Sequence, residues 1–162
     1  MNGKNFFAIV AGGILMMFFT CLQLNAQTDG YETIKIGELE YAVKILGISK
    51  NSEGNVEVRI TGYRLNGYNP SPSVKFWQAR ASDGSVLNIR PELGIDVTSG
   101  GKTVNAIGFS IEDTRRGANE DALLVTFPTT VIPSEVIFFD PSDKTKKVVF
   151  NAATRKPKVS TQ

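Results

Sequence analysis

Beyond Ala26, apolar and polar residues alternate one by one along the chain, and no segment carries the three-to-four-residue apolar spacing of an amphipathic helix. In Val56-Glu57-Val58-Arg59-Ile60-Thr61 the branched apolar residues share one face and the polar residues the other, which is the pattern of a half-buried strand. Such a strand must cover its apolar face with a second layer, so the chain is restricted to stacked or closed sheets. Similar segments run from Thr33 to Ile36, Tyr41 to Ile48, Val74 to Ala81, Val86 to Ile89, Val104 to Ile111, Leu123 to Phe127, Glu135 to Asp140 and Lys147 to Asn151. The expected fold is all-β, an antiparallel sandwich of about seven to nine short strands.

Turn residues separate these segments. Asn51-Ser52-Glu53-Gly54, Asn66-Gly67, Asp83-Gly84, Gly100-Gly101 and Pro141-Ser142-Asp143 place Gly, Asn or Asp where a turn needs positive φ, or Pro where it needs a fixed corner. Hairpins are expected across residues 82–85 and 141–146. Gly62 interrupts the alternation before Tyr63 and Leu65, which predicts a bulge or bend there.

The first 26 residues differ in kind. A short MNGKN with the single charge Lys4 precedes the apolar run from Phe6, and the more polar CLQLNAQ follows, with Ala26 as the small residue for peptidase cleavage. This reads as a signal peptide over 1–26, followed by a sandwich domain over 27–151 and a basic flexible tail over 152–162. Two alternatives stay open: an uncleaved anchor, because the apolar run is long, and acylation of Cys21. The Phe18-Phe19-Thr20 preceding Cys21 lacks the small residues of a lipobox, which favours export of a free domain.

With short links and no crossover helices, the architecture resembles that of immunoglobulin-like β-sandwiches. Trp77 would take the place of the buried tryptophan of that group, although the paired cysteines of antibody domains are absent. The run VIFFDPSDKTKKVVF resembles the terminal hairpin of small exported immunoglobulin-like domains of unknown function, including the immunoprotective extracellular antigen type. The resemblance spans residues 31–151 and implies the fold and an exported location. It carries no catalytic residue across, and a fold does not supply a function.

Composition narrows the chemistry. Histidine is absent and the one cysteine is Cys21 in the leader, so Ser-His-Asp and Cys-His catalysis and His/Cys zinc sites are excluded. Ser99-Gly100-Gly101-Lys102-Thr103 imitates a phosphate loop and a Ser-x-x-Lys pair, but it has Asp96 where a phosphate loop needs glycine, and a strand follows it. It reads as a hairpin turn. The segment 112–121, EDTRRGANED, offers carboxylates at Glu112, Asp113, Glu120 and Asp121, yet its spacing is not that of an EF-hand and Arg115 and Arg116 can neutralise it. No metal and no cofactor are expected.

All sixteen acidic residues precede Lys144, and six basic residues without an acid end the chain: Lys144, Lys146, Lys147, Arg155, Lys156 and Lys158. A tail of this kind would contact anionic surfaces. Without aromatic stacking residues after Phe150 it does not point to specific nucleic-acid binding.

Tyr63, Tyr68 and Trp77 gather around the Pro-rich turn at 66–72 and are the candidate contact residues, with core and loop packing as the alternative for these aromatics. Phe76 and Trp77, adjacent on an expected strand, would face opposite ways, leaving one ring exposed. The sequence therefore reads as an exported, non-enzymatic binding module, periplasmic or secreted, with a protein or glycan partner at the cell envelope. A carbohydrate-binding or glycan-active protein and a membrane-anchored envelope subunit are the alternatives. Intact-mass analysis of the protein from fractionated cells is expected to find Gln27 at the N-terminus, whereas acylated Cys21 or retained Met1 would establish an anchored form.

Overall fold

The computed structural model describes residues 30–67, 75–80, 86–88, 91–112 and 121–158. The expected leader with Cys21, the contact residue Tyr68, the turn at 82–85 and the segment 113–120 lie outside the described residues. Twelve strands follow one another without a helix among the described residues: β1 (Glu32–Ile36), β2 (Leu39–Lys50), β3 (Val56–Arg64), β4 (Gln78–Arg80), β5 (Val86–Asn88), β6 (Gly94–Ser99), β7 (Lys102–Asn105), β8 (Gly108–Glu112), β9 (Ala122–Phe127), β10 (Glu135–Asp140), β11 (Asp143–Asn151) and β12 (Lys156–Pro157). They form two five-stranded antiparallel sheets, β1-β2-β3-β9-β8 and β12-β11-β10-β6-β7, with β4 and β5 as a separate hairpin.

The alternating residues meet between these sheets. Val56, Val58 and Ile60 of β3 lie opposite Phe127, Val125 and Leu123 of β9, and all six are buried. Ile95 and Val97 of β6, Val136 and Phe138 of β10 and Phe150 of β11 complete the same core from the second sheet. Each such side chain contributes about 1.5–3 kcal/mol of burial free energy, so the core rests on many comparable terms and no disulfide.

Local chemistry sets the turns. Asn51 Oδ1 accepts from the Glu53 and Asn55 amides at 3.0 and 3.1 Å, closing the β2–β3 turn. Gly100 and Gly101, at φ of +57° and +76°, form the two-residue link between Ser99 and Lys102. Two consecutive positive φ values match the right-handed twist of the flanking strands, and side chains other than Gly or Asn resist them. The SGGKT segment is this hairpin.

Several expectations are corrected. The segment 104–111 is two strands in different sheets, with Ala106-Ile107 carrying the chain across. The apolar phase slips there, from Val104 and Ala106 to Ile107, Phe109 and Ile111. Strand β6 was not expected, because Gly94 and Asp96 dilute its apolar signal. The hairpin over 78–88 forms, but Phe76 and Trp77 precede it in a turn, so period-two facing does not apply to them. Gly62 stays in register opposite Val43, and the irregularity falls on the partner strand between Ile45 and Gly47.

The expected flexible tail is also corrected for residues 152–158. Asn151 Oδ1 accepts from the Ala153 and Thr154 amides, Arg155 adopts φ of +57°, and β12 pairs with the end of β11. Ala152 enters the core, and the Arg155 guanidinium donates to the Leu46 carbonyl at 2.9 Å. Lys156 pairs with Glu32, and Lys158 pairs with Glu135. The domain therefore extends through β12.

Gly62 is required by close approach. A Cβ there would stand 2.6 Å from the Ala42 carbonyl oxygen and 2.8 Å from Phe76 Cε1. Gly62→Ala is expected to destabilise the domain by about 1–3 kcal/mol, the usual cost of overpacking, measured by urea unfolding. Gly108→Ala, with open space around its Cβ, is the control expected to change stability far less.

Candidate functional site

The three expected contact residues do not form one surface. Trp77 is fully buried and Phe76 nearly so, with their rings edge to face at 4.8 Å and Tyr41 closing on Phe76 at 6.2 Å. Neither Phe76 nor Trp77 presents a ring to a ligand, so Trp77 is a core residue and not a contact. The turn at 76–77 sends both rings inward, where a strand would have separated them. Tyr63 remains on the outer face of the first sheet, half-buried, 5.5 Å from the Tyr31 ring. Burial, followed by the neighbouring Tyr31, raises its phenol pKa above the usual value. Lys44 stands over the Tyr31 ring at 5.5 Å.

The better-formed site lies on the outer face of the second sheet, and the register builds it. Opposed residues of antiparallel strands share a face. The pairings Asn105↔Asp96, Asp96↔Ile137, Gly94↔Phe139 and Phe139↔Lys147 therefore collect these side chains outside the sandwich, while Ile95, Val97, Val136 and Phe138 point into it. With Thr103 and Lys144 they line a pocket of about 170 Å³.

Gly94 has a specific part in this arrangement. The Phe139 ring leans across the strand into the space that a Cβ at position 94 would fill. Lys144 reaches the site because β11 carries extra residues relative to β10: the pairing passes from Phe139↔Lys147 to Asp140↔Asp143 and leaves residues 144–146 bulged. A bulge re-aims side chains, and here the Lys144 ammonium stands 4.6 Å from the Phe139 ring centre and 3.7 Å from Asp96 Oδ2.

The Asp96 side chain is only 10% exposed. Burial pushes its carboxyl pKa up, and the nearby Lys144 only partly opposes this, so desolvation outweighs the ion pair. Glu135, at the other end of the same face, is held below the usual carboxylate range by hydrogen bonds from Lys158 and from the Thr98 hydroxyl. The contrast is in satisfaction: Glu135 is clasped by donors on two sides, whereas Asp96 has an ammonium beyond direct hydrogen-bond distance.

This site supplies polar and ionic contacts beside an aromatic ring. Among the described residues no three His, Cys, Asp or Glu side chains cluster to hold a metal ion. Of the segment considered for calcium, Glu112 is bound by Arg59 in an ion pair. The sequence contained one usable signal for the pocket: Phe138 and Phe139 are consecutive on a strand, so one ring must leave the core. The contribution of Asp96 and Lys144 required the register and the bulge.

Because the folded Asp96 carboxyl has a raised pKa, ionising it costs folding free energy, and that cost grows as pH rises from the ordinary Asp range through the raised value. Asp96→Asn is expected to unfold at a higher temperature than the parent at pH 7, with the difference closing below about pH 4. Thermal unfolding across that range measures it. Compared with protein-family models, curated proteins and solved structures, the chain matches none.

Proposed function

We propose that this protein is an exported, non-enzymatic binding module with an immunoglobulin-like sandwich, recognising a protein partner at the cell envelope through the outer face of β6, β7, β10 and β11. The single observation that carries the reading is the Asp96–Phe139–Lys144 pocket, where a largely buried carboxylate, an aromatic ring face, two ammonium groups and the polar Thr103 and Asn105 converge. Strands and a hairpin hold it, which gives a partner a preorganised surface.

The strand order supports the immunoglobulin-like part of the reading. In β2-β3-β9-β8 facing β11-β10-β6-β7, the succession corresponds to A-B-E-D facing G-F-C-C′, with β1 and β12 added at the outer edges. Trp77 is buried as the tryptophan of such domains is, although it precedes the C-equivalent strand by two turns of chain and a hairpin. The terminal hairpin β10–β11 falls on the VIFFDPSDKTKKVVF run that resembles small exported domains of this kind. Export itself rests on the leader sequence.

A carbohydrate-binding reading is favoured by one separate feature, the Tyr31–Tyr63 pair beside Lys44 on the opposite sheet. NMR titration of the 27–162 chain with peptide and glycan panels distinguishes the two surfaces. The protein-binding reading expects peptide-induced shifts at Asp96, Asn105, Ile137 and Lys147. Glycan-induced shifts confined to Tyr31 and Tyr63 would replace it with the carbohydrate reading.

A further inference from the structure

Resting on the binding-module reading, we propose that the Asp96 pocket is a receptor for an arginine side chain of the partner, and that Lys144 occupies it as a built-in competitor in the free protein.

The argument begins with the carboxylate. Asp96 is nine-tenths buried, and its carboxylate faces the Lys144 ammonium, whose Nζ stands 3.7 Å from Oδ2, longer than an ordinary hydrogen bond. A carboxylate in this condition gains from a donor that supplies both charge and directed hydrogen bonds. Lys144 supplies charge and a long hydrogen bond from 3.7 Å, and the two together do not offset the burial of the carboxyl. Its side chain remains 64% exposed, and it is borne by a bulge outside the β10–β11 ladder, so its withdrawal breaks no strand pairing.

The second element is the ring. The Lys144 ammonium stands 4.6 Å from the Phe139 centroid, so carboxylate and aromatic ring already hold one cation between them. Gly94 clears the space that fixes the ring in that position. A guanidinium suits the pair better than an ammonium. It is planar, stacks on an aromatic face and donates two parallel hydrogen bonds to a carboxylate, while an ammonium acts as a compact point charge. Asn105, directly opposite Asp96 on β7, brings an amide oxygen for a remaining guanidinium N–H.

Charge balance specifies the ligand further. Once Lys144 is displaced, it and Lys147 leave two cations at the rim of a pocket with one carboxylate. A partner bearing only basic residues would be repelled there; an arginine flanked by glutamate or aspartate would satisfy both rim and pocket. The recognised class is therefore a mixed-charge peptide segment with a central arginine, and its entry exchanges one cation for another at Asp96.

The test uses the peptide acetyl-Glu-Arg-Glu-amide and its citrulline analogue, which keeps the shape and removes the charge, titrated into the 27–162 chain and followed by amide shifts. The inference expects the arginine peptide, and not the citrulline one, to shift Asp96 and Asn105. Lys144→Ala is expected to tighten binding about threefold by removing the competitor, in line with an exposed cation–π contact. Asp96→Asn is expected to weaken it at least tenfold. Two variants moving in opposite directions from one pocket are not produced by general loss of folding, and the dispersion of each spectrum confirms the fold. Unchanged or weaker binding in Lys144→Ala, or retained binding in Asp96→Asn, overturns the inference. Shifts at Asp96 from other peptides without a response to the arginine peptide overturn it as well, while leaving the binding-module reading in place.

Discussion

Strand β10 is hydrogen-bonded on both sides, to β6 and to β11, and its alternation serves the core and the surface at once. Val136 and Phe138 lie in the core; Ile137 and Phe139 face the pocket. A one-residue slip would turn the first pair outwards and the second inwards, with Glu135, which shares the face of the second pair, driven towards the interior. The cost of burying that charge, added to the loss of two apolar side chains from the core, pins the register. The same pinning brings Asp96 beside Ile137 and Gly94 beneath Phe139. The outer face around Asp96 is thus held by the forces that hold the core.

At one end of the sandwich a cluster of rings replaces the regular ladder. Phe76 and Trp77 turn inward from the chain that leaves β3, and Gly62 gives the Phe76 ring its space. Tyr41 packs against Phe76 and sends its hydroxyl to Glu92, which also pairs with Arg64 at 2.9 Å. The Tyr41 hydroxyl and the Arg64 guanidinium meet Glu92 near solvent, while among the described residues Trp77 Nε1 and Arg64 Nε are buried without a hydrogen-bond partner. The apolar part of the cluster fills the sandwich. This is why the aromatic residues that look like a contact surface in the sequence serve packing.

Charge is distributed in space quite differently from its distribution along the chain. The basic C-terminal residues return to the body of the domain: Lys156 to Glu32, Lys158 to Glu135, and Arg155 to the Leu46 carbonyl. Exposed pairs of this type contribute about 0–1 kcal/mol each, so they assist the attachment that β12 pairing and the burial of Ala152 establish. Lys144 is the exception in kind, since it faces an acid that burial has left poorly solvated.

The alternation of residues by itself determined that the chain forms half-buried antiparallel strands, and Gly100-Gly101, Asn51 and Pro141 determined where it turns, because strand facing and positive φ are local properties. Even the division of 104–111 between two sheets is written in the phase slip at Ala106-Ile107. Tertiary structure alone decided what Trp77, Asp96 and the basic tail do. Trp77 is buried because a turn, not a strand, precedes β4; Asp96 becomes a pocket residue through pairing with strands about ten and forty residues away; the tail is held by β12 pairing and the burial of Ala152, assisted by the ion pair to distant Glu32. These outcomes depend on which distant segments come together, and the free energy of such contacts is absent from any local pattern.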